Sequence, residues 1–306
     1  MYRYCCAWLV VFVLLAAEPV GAQGKLPSML IRVPESTTTL FVAETSTARF
    51  YRIRRAGDTL LADGHFYMSI GQEGEGKEQS GDRRTPLGAY FVTEQLDTSR
   101  LHEKYGVTAF PLDYPNAWDE RLGRDGDGIW LHGVDPNGGQ RPRRDTDGCI
   151  ALPNADLSAL IPAFEENLTP VLVTREVDWV DAEDSSLLRT ELESSVTLWA
   201  ESKASGDLYS YLSLYGDGFL RGEMTKAEWS VLVLQNEQRD VAAGEQLASA
   251  SVSDLLLLAY PEENNLYLSR FRLAVRSKER ERVSIVRLYW RRDEHGAFRI
   301  MTEDNG

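Results

Sequence analysis

Short apolar–polar alternations dominate the first half of the chain. In His65-Phe66-Tyr67-Met68-Ser69-Ile70, the residues Phe66, Met68 and Ile70 fall on one face, which predicts a half-buried strand. Asp63-Gly64, just before it, predicts a turn after the short run Leu60-Leu61-Ala62. Further strands are predicted at Leu40 to Ala43, Phe50 to Arg54, Ala89 to Thr93, Gly128 to His132 and Pro170 to Thr174. The stretch Gly71 to Gly81 holds four glycines among polar residues and predicts a flexible loop. After Cys149 the period becomes helical through Leu157, Leu160, Ile161 and Phe164, with Asn154 as the expected N-cap. Short strands with one or two helices predict a mainly β domain, a sandwich or barrel-like form.

The acidic, polar stretch Glu176 to Ser186 reads as a linker. Beyond it the pattern changes. Leu188, Leu192, Val196 and Trp199 make one helical stripe, and Leu208, Tyr211, Leu212 and Tyr215 a shorter one. Thr225-Lys226-Ala227-Glu228 is a capping box that opens a third helix. Strands follow at Leu255 to Tyr260, Leu266 to Val275, Val283 to Trp290 and Phe298 to Met301. Helices first and a sheet afterwards predict an α+β second domain.

The N-terminus adds a targeting signal. Met1-Tyr2-Arg3 precedes an apolar run from Ala7 to Ala17 and then Val20-Gly21-Ala22, the pattern of a secretory signal peptide over residues 1–22. Cys5 and Cys6 would leave with it, so the exported chain keeps Cys149 alone and forms no internal disulfide. A net charge of −14 argues against nucleic-acid binding through phosphates. Four histidines and one retained cysteine show no metal-ligand spacing, and no phosphate-cradling Gly-Lys loop is present, so neither metal nor cofactor is expected.

A lone thiol kept in an exported chain points to chemistry, although an inert buried cysteine is the commoner fate of a free thiol. Cys149 follows Gly148 in a polar loop, and His132 closes an apolar run upstream. A thiol needs a base to become a nucleophile at neutral pH, and an imidazole supplies one. Gly148 gives the backbone freedom to turn amides towards a developing oxyanion.

Four segments in order carry a resemblance to one family. They are Thr85-Pro86-Leu87-Gly88 with Tyr90, Phe110-Pro111-Leu112-Asp113-Tyr114-Pro115-Asn116, Gly128-Ile129-Trp130-Leu131-His132-Gly133, and Thr146-Asp147-Gly148-Cys149-Ile150. Together they resemble the L,D-transpeptidase catalytic domain of bacterial cell-wall enzymes, expected here over residues 38–175. The second part, expected over 187–304 after a linker at 176–186, resembles the nuclear transport factor two-like fold, a cone of helices against a curved sheet. Trp199, Asp207, Tyr211, Tyr215, Phe219 and Trp229 carry that resemblance. Cell-shape-determining L,D-carboxypeptidases of curved and helical bacteria join two such domains in this order.

The resemblance implies roles residue by residue. Cys149 is the nucleophile, His132 its base, and the Gly133 carbonyl the group that orients the imidazole. The amides of Gly148 and Cys149 form the oxyanion hole, and Thr146 supports the loop. Two departures stand out. Asp147 replaces the commoner His, as in a subset of the family that includes hydrolases, and Ile150-Ala151-Leu152 lacks the usual polar residue after the cysteine. An anion close to a thiol raises its pKa, so Asp147 either points away or takes a cationic amine of the substrate. Arg141, Arg143 and Arg144, with Arg83 and Arg84, lie in loops where guanidinium groups match substrate carboxylates, or serve only as solvated loop cations. Trp130 lines a groove or packs beside His132.

The function implied is a periplasmic cysteine enzyme that cuts the diaminopimelate–D-alanine bond of peptidoglycan stem tetrapeptides. The acyl group then passes to an amine or to water. A non-catalytic wall-binding scaffold, or action on lipoprotein linkage, is the competing reading. Stem peptides are the expected partner, with outer-membrane lipoproteins and a homodimer through the second domain as further expectations.

Overall fold

The computed structural model describes residues 24–139, 141–181, 185–278 and 280–306. The expected signal peptide, with Cys5 and Cys6, lies outside the described residues. Among those described, no helix is long and apolar enough to cross a membrane.

The first domain is built on a five-stranded sheet in the order Thr59–Tyr67, Arg49–Ala56, Thr39–Glu44, Pro170–Thr174, Gly88–Phe91. Pro170–Thr174 runs parallel to Thr39–Glu44 and antiparallel to Gly88–Phe91. All five of its residues are buried, because both faces of the sheet are covered. Phe41, Ala43, Val171 and Val173 face a core shared with Leu131, Ile150, Leu157 and Leu160. Their alternates Leu40, Val42 and Leu172 face the other way, into a second core completed by Leu256, Leu258, Leu266, Leu268 and Tyr289. Those partners belong to the second domain.

The second domain's sheet runs in the order Phe298–Asp304, Glu281–Arg292, Leu266–Arg276, Ser249–Ala259, Leu30–Arg32. Its far face carries Leu257, Phe271, Leu288 and Trp290 against Leu192, Val196 and Trp199 of the helix Ser186–Ser205. The helices Leu208–Ser213 and Lys226–Ala243 complete that layer, the latter opened by the Thr225–Glu228 capping box. The molecule is therefore a mainly β stack: first-domain core, sheet, shared core, sheet, helices.

Four local readings are corrected. Asp63-Gly64 is not a turn: it lies inside Thr59–Tyr67 at an irregularity in the pairing with Arg49–Ala56, and Gly64 takes φ +80°. The expected strand His65 to Ile70 breaks after Tyr67 and resumes as Ile70–Gly71, although Met68 and Ile70 do share the buried face. The glycine-rich loop is pinned: Lys77 is buried and donates to Asp82 (2.9 Å) and to the Gln79 carbonyl (2.8 Å). The stretch expected as a linker contains the strand Trp179–Asp181, which pairs with Lys25–Pro27.

An early segment also joins the second domain. Leu30–Arg32 is an edge strand of the second sheet, paired with Ser249–Ala259. The short helix Ala117–Arg121 joins the halves further. Trp118 is 1% exposed, and its ring stacks on Tyr289 with centroids 6.3 Å apart. Asn116 caps that helix and donates to Tyr260 Oη (2.9 Å), while Arg287 pairs with Asp113 and Asp304.

Candidate active site

His132 ends the strand Trp130–His132, and Cys149 immediately precedes Ile150–Ala151. These strands are parallel neighbours, with Ile150 opposite Leu131 and Ala151 opposite His132. Leu131 and Ile150 point into the core. Extending the register by one residue sets Cys149 opposite Trp130. The thiol and the imidazole thus share one face of adjacent strands, two positions apart along them. Sequence positions 17 residues apart meet because the intervening loop returns the chain to its own edge.

Both groups are buried, and both are neutral at rest. The Gly133 carbonyl oxygen lies 2.5 Å from His132 Nδ1. A carbonyl can only accept, so Nδ1 carries the proton and Nε2 keeps its lone pair. Burial lowers the imidazole pKa from 6.5 to about 4; the Gly133 carbonyl opposes that, and the Arg141 and Lys104 charges add to it. Burial likewise raises the Cys149 thiol, against the Trp130 amide and the charges of Lys104 and Arg141, while Asp147 raises it further. The thiol donates to the Gly128 carbonyl at 3.3 Å. The two groups thus rest uncharged at neutral pH, a neutral acid and a neutral base on adjacent strands.

Glycines allow the close approach. A Cβ on Gly133 would stand 2.2 Å from Asn154 Oδ1, and one on Gly148, which takes φ +124°, 2.7 Å from the Arg84 carbonyl. Thr85 Oγ1 donates to the Gly148 carbonyl (2.9 Å) and accepts from the Gly71 amide (2.9 Å). Thr146 Oγ1 donates to the Cys149 carbonyl (2.7 Å) and accepts from the Gly148 amide (3.1 Å). The Gly148 half of the expected oxyanion hole is therefore already engaged. The Cys149 amide, among the described residues and outside the strand pairing, donates to nothing.

The remaining candidates separate. Arg141 donates to Asp145 (2.7 Å) and lines a cavity of about 350 Å³ with Tyr67, Ser69, Val134, Ala151 and Pro153, next to the His132 strand. Arg143 is committed to the Thr45 carbonyl, and Arg144 stands 3.9 Å from Glu75. Asp147 is exposed and turns to Lys104 at 3.6 Å. Trp130 packs on Tyr105 (4.8 Å between centroids), and Tyr105 also meets the His132 ring edge-on at 5.2 Å.

Three contributors escaped the sequence reading. Lys104 and Tyr105 sit in a short 3-10 turn with no periodic signal. Asn154 was expected as a helix cap. The cap position falls instead on Pro153, and Asn154 accepts from the Val134 amide (2.9 Å) and the Val107 amide (3.3 Å) and donates to the Val134 carbonyl (2.7 Å). It brackets the turn that supplies the Gly133 carbonyl.

Comparison with known families decides what this frame is. Residues 38–173 match the L,D-transpeptidase catalytic domain. The first half of this chain is an L,D-transpeptidase domain. Residues 191–304 match the Cds6 C-terminal NTF2-like domain. Two solved structures share the whole arrangement. Bd1075 of Bdellovibrio bacteriovorus is 21% identical, with TM-score 0.73 over 92% of this chain and 98% of that one. The helical cell shape determining protein Pgp2 of Campylobacter jejuni is 23% identical, with TM-score 0.69 over 90% and 96%. At these identities the likeness establishes the fold. No curated protein matches the chain. The family match places residues 38–173 in the L,D-transpeptidase family of cell-wall enzymes. That family acts on peptidoglycan stem peptides outside the cytoplasm.

Proposed function

We propose that this protein is a periplasmic cysteine enzyme that cleaves the diaminopimelate–D-alanine bond of stem tetrapeptides through a thioester on Cys149. The observation that carries the reading is the neutral His132, held by the Gly133 carbonyl with Nε2 free, on the strand beside the thiol. His132 Nε2 takes the thiol proton as Sγ attacks the carbonyl carbon of the diaminopimelate L-centre. The oxyanion meets the Cys149 amide. As the C–N bond breaks, the imidazolium returns the proton to the departing D-alanine amine. An amine or water, deprotonated by the same His132, then attacks the thioester and frees the thiol. Lys104 and Arg141 supply positive charge beside the thiol and suit a substrate rich in carboxylates. The catalytic domain as read in the sequence, residues 38–175, carries all of these groups.

The test is digestion of purified disaccharide-tetrapeptide by the exported chain and by Cys149→Ala, followed by mass spectrometry. Tripeptide and free D-alanine from the first alone identify a carboxypeptidase. Cross-linked dimers or exchange of an added D-amino acid identify a transpeptidase. No change with either protein refutes the substrate and returns the non-catalytic scaffold reading.

A further inference from the structure

The second domain reaches the nucleophile loop through one carboxylate. Glu262 lies in the tight connection between Ser249–Ala259 and Leu266–Arg276, with its backbone at φ +62°. A non-glycine residue is disfavoured there, so the side chain needs a reason to be present. That side chain crosses to the first domain. Its Oε1 accepts from Thr174 Oγ1 (2.9 Å) and from the Arg175 amide (2.8 Å), and its Oε2 from Arg175 Nη1 (2.6 Å). Burial alone would raise the Glu262 pKa, but these donors bring it below the ordinary value.

Arg175 stands at a junction. Its Nε lies 3.6 Å from Glu75, and Glu75 lies 3.9 Å from Arg144, which starts the strand leading to Cys149. The Glu75 backbone bridges to Thr85, and the Glu75 carbonyl accepts from Arg84 (3.3 Å). Thr85 then holds the Gly148 carbonyl, and the Arg84 carbonyl closes over Gly148. A second route runs from the Thr174 and Arg175 carbonyls, which accept from the Thr45 and Ser46 amides, to Arg143 on the Thr45 carbonyl. Both routes start at the strand end that Glu262 caps; the first finishes on the Gly148 backbone next to Cys149, the second at Arg143, at the start of the segment that leads to it.

We infer that Glu262, carried by the NTF2-like domain, is a positioning residue for the nucleophile loop, acting through Arg175 and Glu75. It touches no reacting atom. By fixing Arg175 it sets where Glu75 sits between its arginines, and with it the Thr85 hydroxyl that fixes Gly148. The second domain is thereby a working part of the catalytic geometry. The inference rests on Cys149 being the reactive thiol and not on the identity of the substrate.

The experiment measures iodoacetamide alkylation of Cys149 across pH 5–9, roughly the span over which a thiol and an imidazole titrate, with turnover of disaccharide-tetrapeptide in parallel. The variants are E262Q, R175Q and E263Q. Glu263 serves as the control, since it accepts from Trp118 of the first domain (3.3 Å) and from Arg291 of its own (3.1 Å), and so bridges the same two domains without reaching Arg175. In E262Q, alkylation at pH 7 should slow and kcat fall by roughly tenfold, with KM changed less than about twofold. R175Q, which leaves the second domain intact, should reproduce both effects, and E263Q should match the unmodified protein. Unchanged alkylation and kcat in E262Q, or an equal loss in E263Q, overturns the inference. If E262Q does not fold, R175Q decides alone: no effect there overturns it. Alkylation needs no peptidoglycan, so a protein that ignores tetrapeptide yet responds to E262Q refutes the proposed substrate and leaves the positioning role standing.

Discussion

Replacing Asn154 by Ala tests whether a bracket outside the catalytic pair governs the base. Three hydrogen bonds vanish: two from the amides of Val134 and Val107 and one to the Val134 carbonyl. Each such bond contributes about 0.5–1.5 kcal/mol net, and the stranded groups add a desolvation cost where they are buried. Val107 is exposed, so water replaces its bond; Val134 is half-buried and loses more. The sum comes to about 2 kcal/mol. For a domain pair of this size, unfolding as one unit, that lowers Tm by roughly 3–4 °C. The turnover cost should be larger than the stability cost suggests. Gly133 would lose the contact that Asn154 Oδ1 makes against it, and its carbonyl would no longer hold the His132 Nδ1 proton in place. Misorientation of a general base on this scale costs roughly 10- to 100-fold in kcat/KM. Asn154→Asp sharpens the test. It keeps both acceptor bonds but turns an oxygen towards the Val134 carbonyl, where a donor now sits at 2.7 Å. It should therefore be at least as damaging as Ala above pH 5, where about nine in ten of its carboxyls are ionised. Differential scanning calorimetry with tetrapeptide turnover checks both variants. Unchanged Tm and unchanged turnover in Asn154→Ala would refute the reasoning.

Three further outcomes follow from the same geometry. The folded His132 pKa of about 4 lies below its ordinary 6.5, so the unfolded chain takes up that proton first as pH falls. Stability from this residue is complete above pH 6.5 and is lost towards pH 4, about 3 kcal/mol in all; urea unfolding at the two ends should show the loss, and His132→Gln should abolish that share. Gly148→Ala forces a Cβ to within 2.7 Å of the Arg84 carbonyl at φ +124°, so turnover should drop by more than about 100-fold, whereas Gly222→Ala, also at a positive φ (+58°) but with open space around it and in the second domain, should leave turnover near normal. Trp118→Ala removes a ring that is 1% exposed between the domains and should cost about 3–5 kcal/mol, splitting one calorimetric transition into two; a single unshifted transition would contradict the shared core.

Elements with a strong local period were legible in the sequence. Pro170 to Thr174, Leu188 to Trp199 and the Thr225–Glu228 box read correctly because burial and capping act over neighbouring residues. What the sequence hid was decided at long range. Asp63-Gly64 has turn chemistry, yet the pairing with Arg49–Ala56 absorbs it as an irregularity. Asn154 has capping chemistry, yet amides at Val107 and Val134 outbid the helix for its oxygen. Cys149 and His132 were legible through their motifs, whereas Tyr105 and Lys104 beside them carry no pattern. The cohesion of the two halves was also invisible. Leu40, Val42 and Leu172 look like ordinary strand residues until their second face is seen to pack on Leu256 and Leu258.

The strand Leu30–Arg32 governs how this molecule can be cut apart. It is the outer rung of the second sheet, although its residues precede the whole first domain. A fragment beginning at residue 187 would leave the Ser249–Ala259 backbone bare along one side, an invitation to stick to any passing strand. Residues 24–36 supplied as a separate peptide should quiet that fragment by filling the vacant rung. A deletion of the same residues from the intact chain would injure the far domain more than the one it adjoins in sequence.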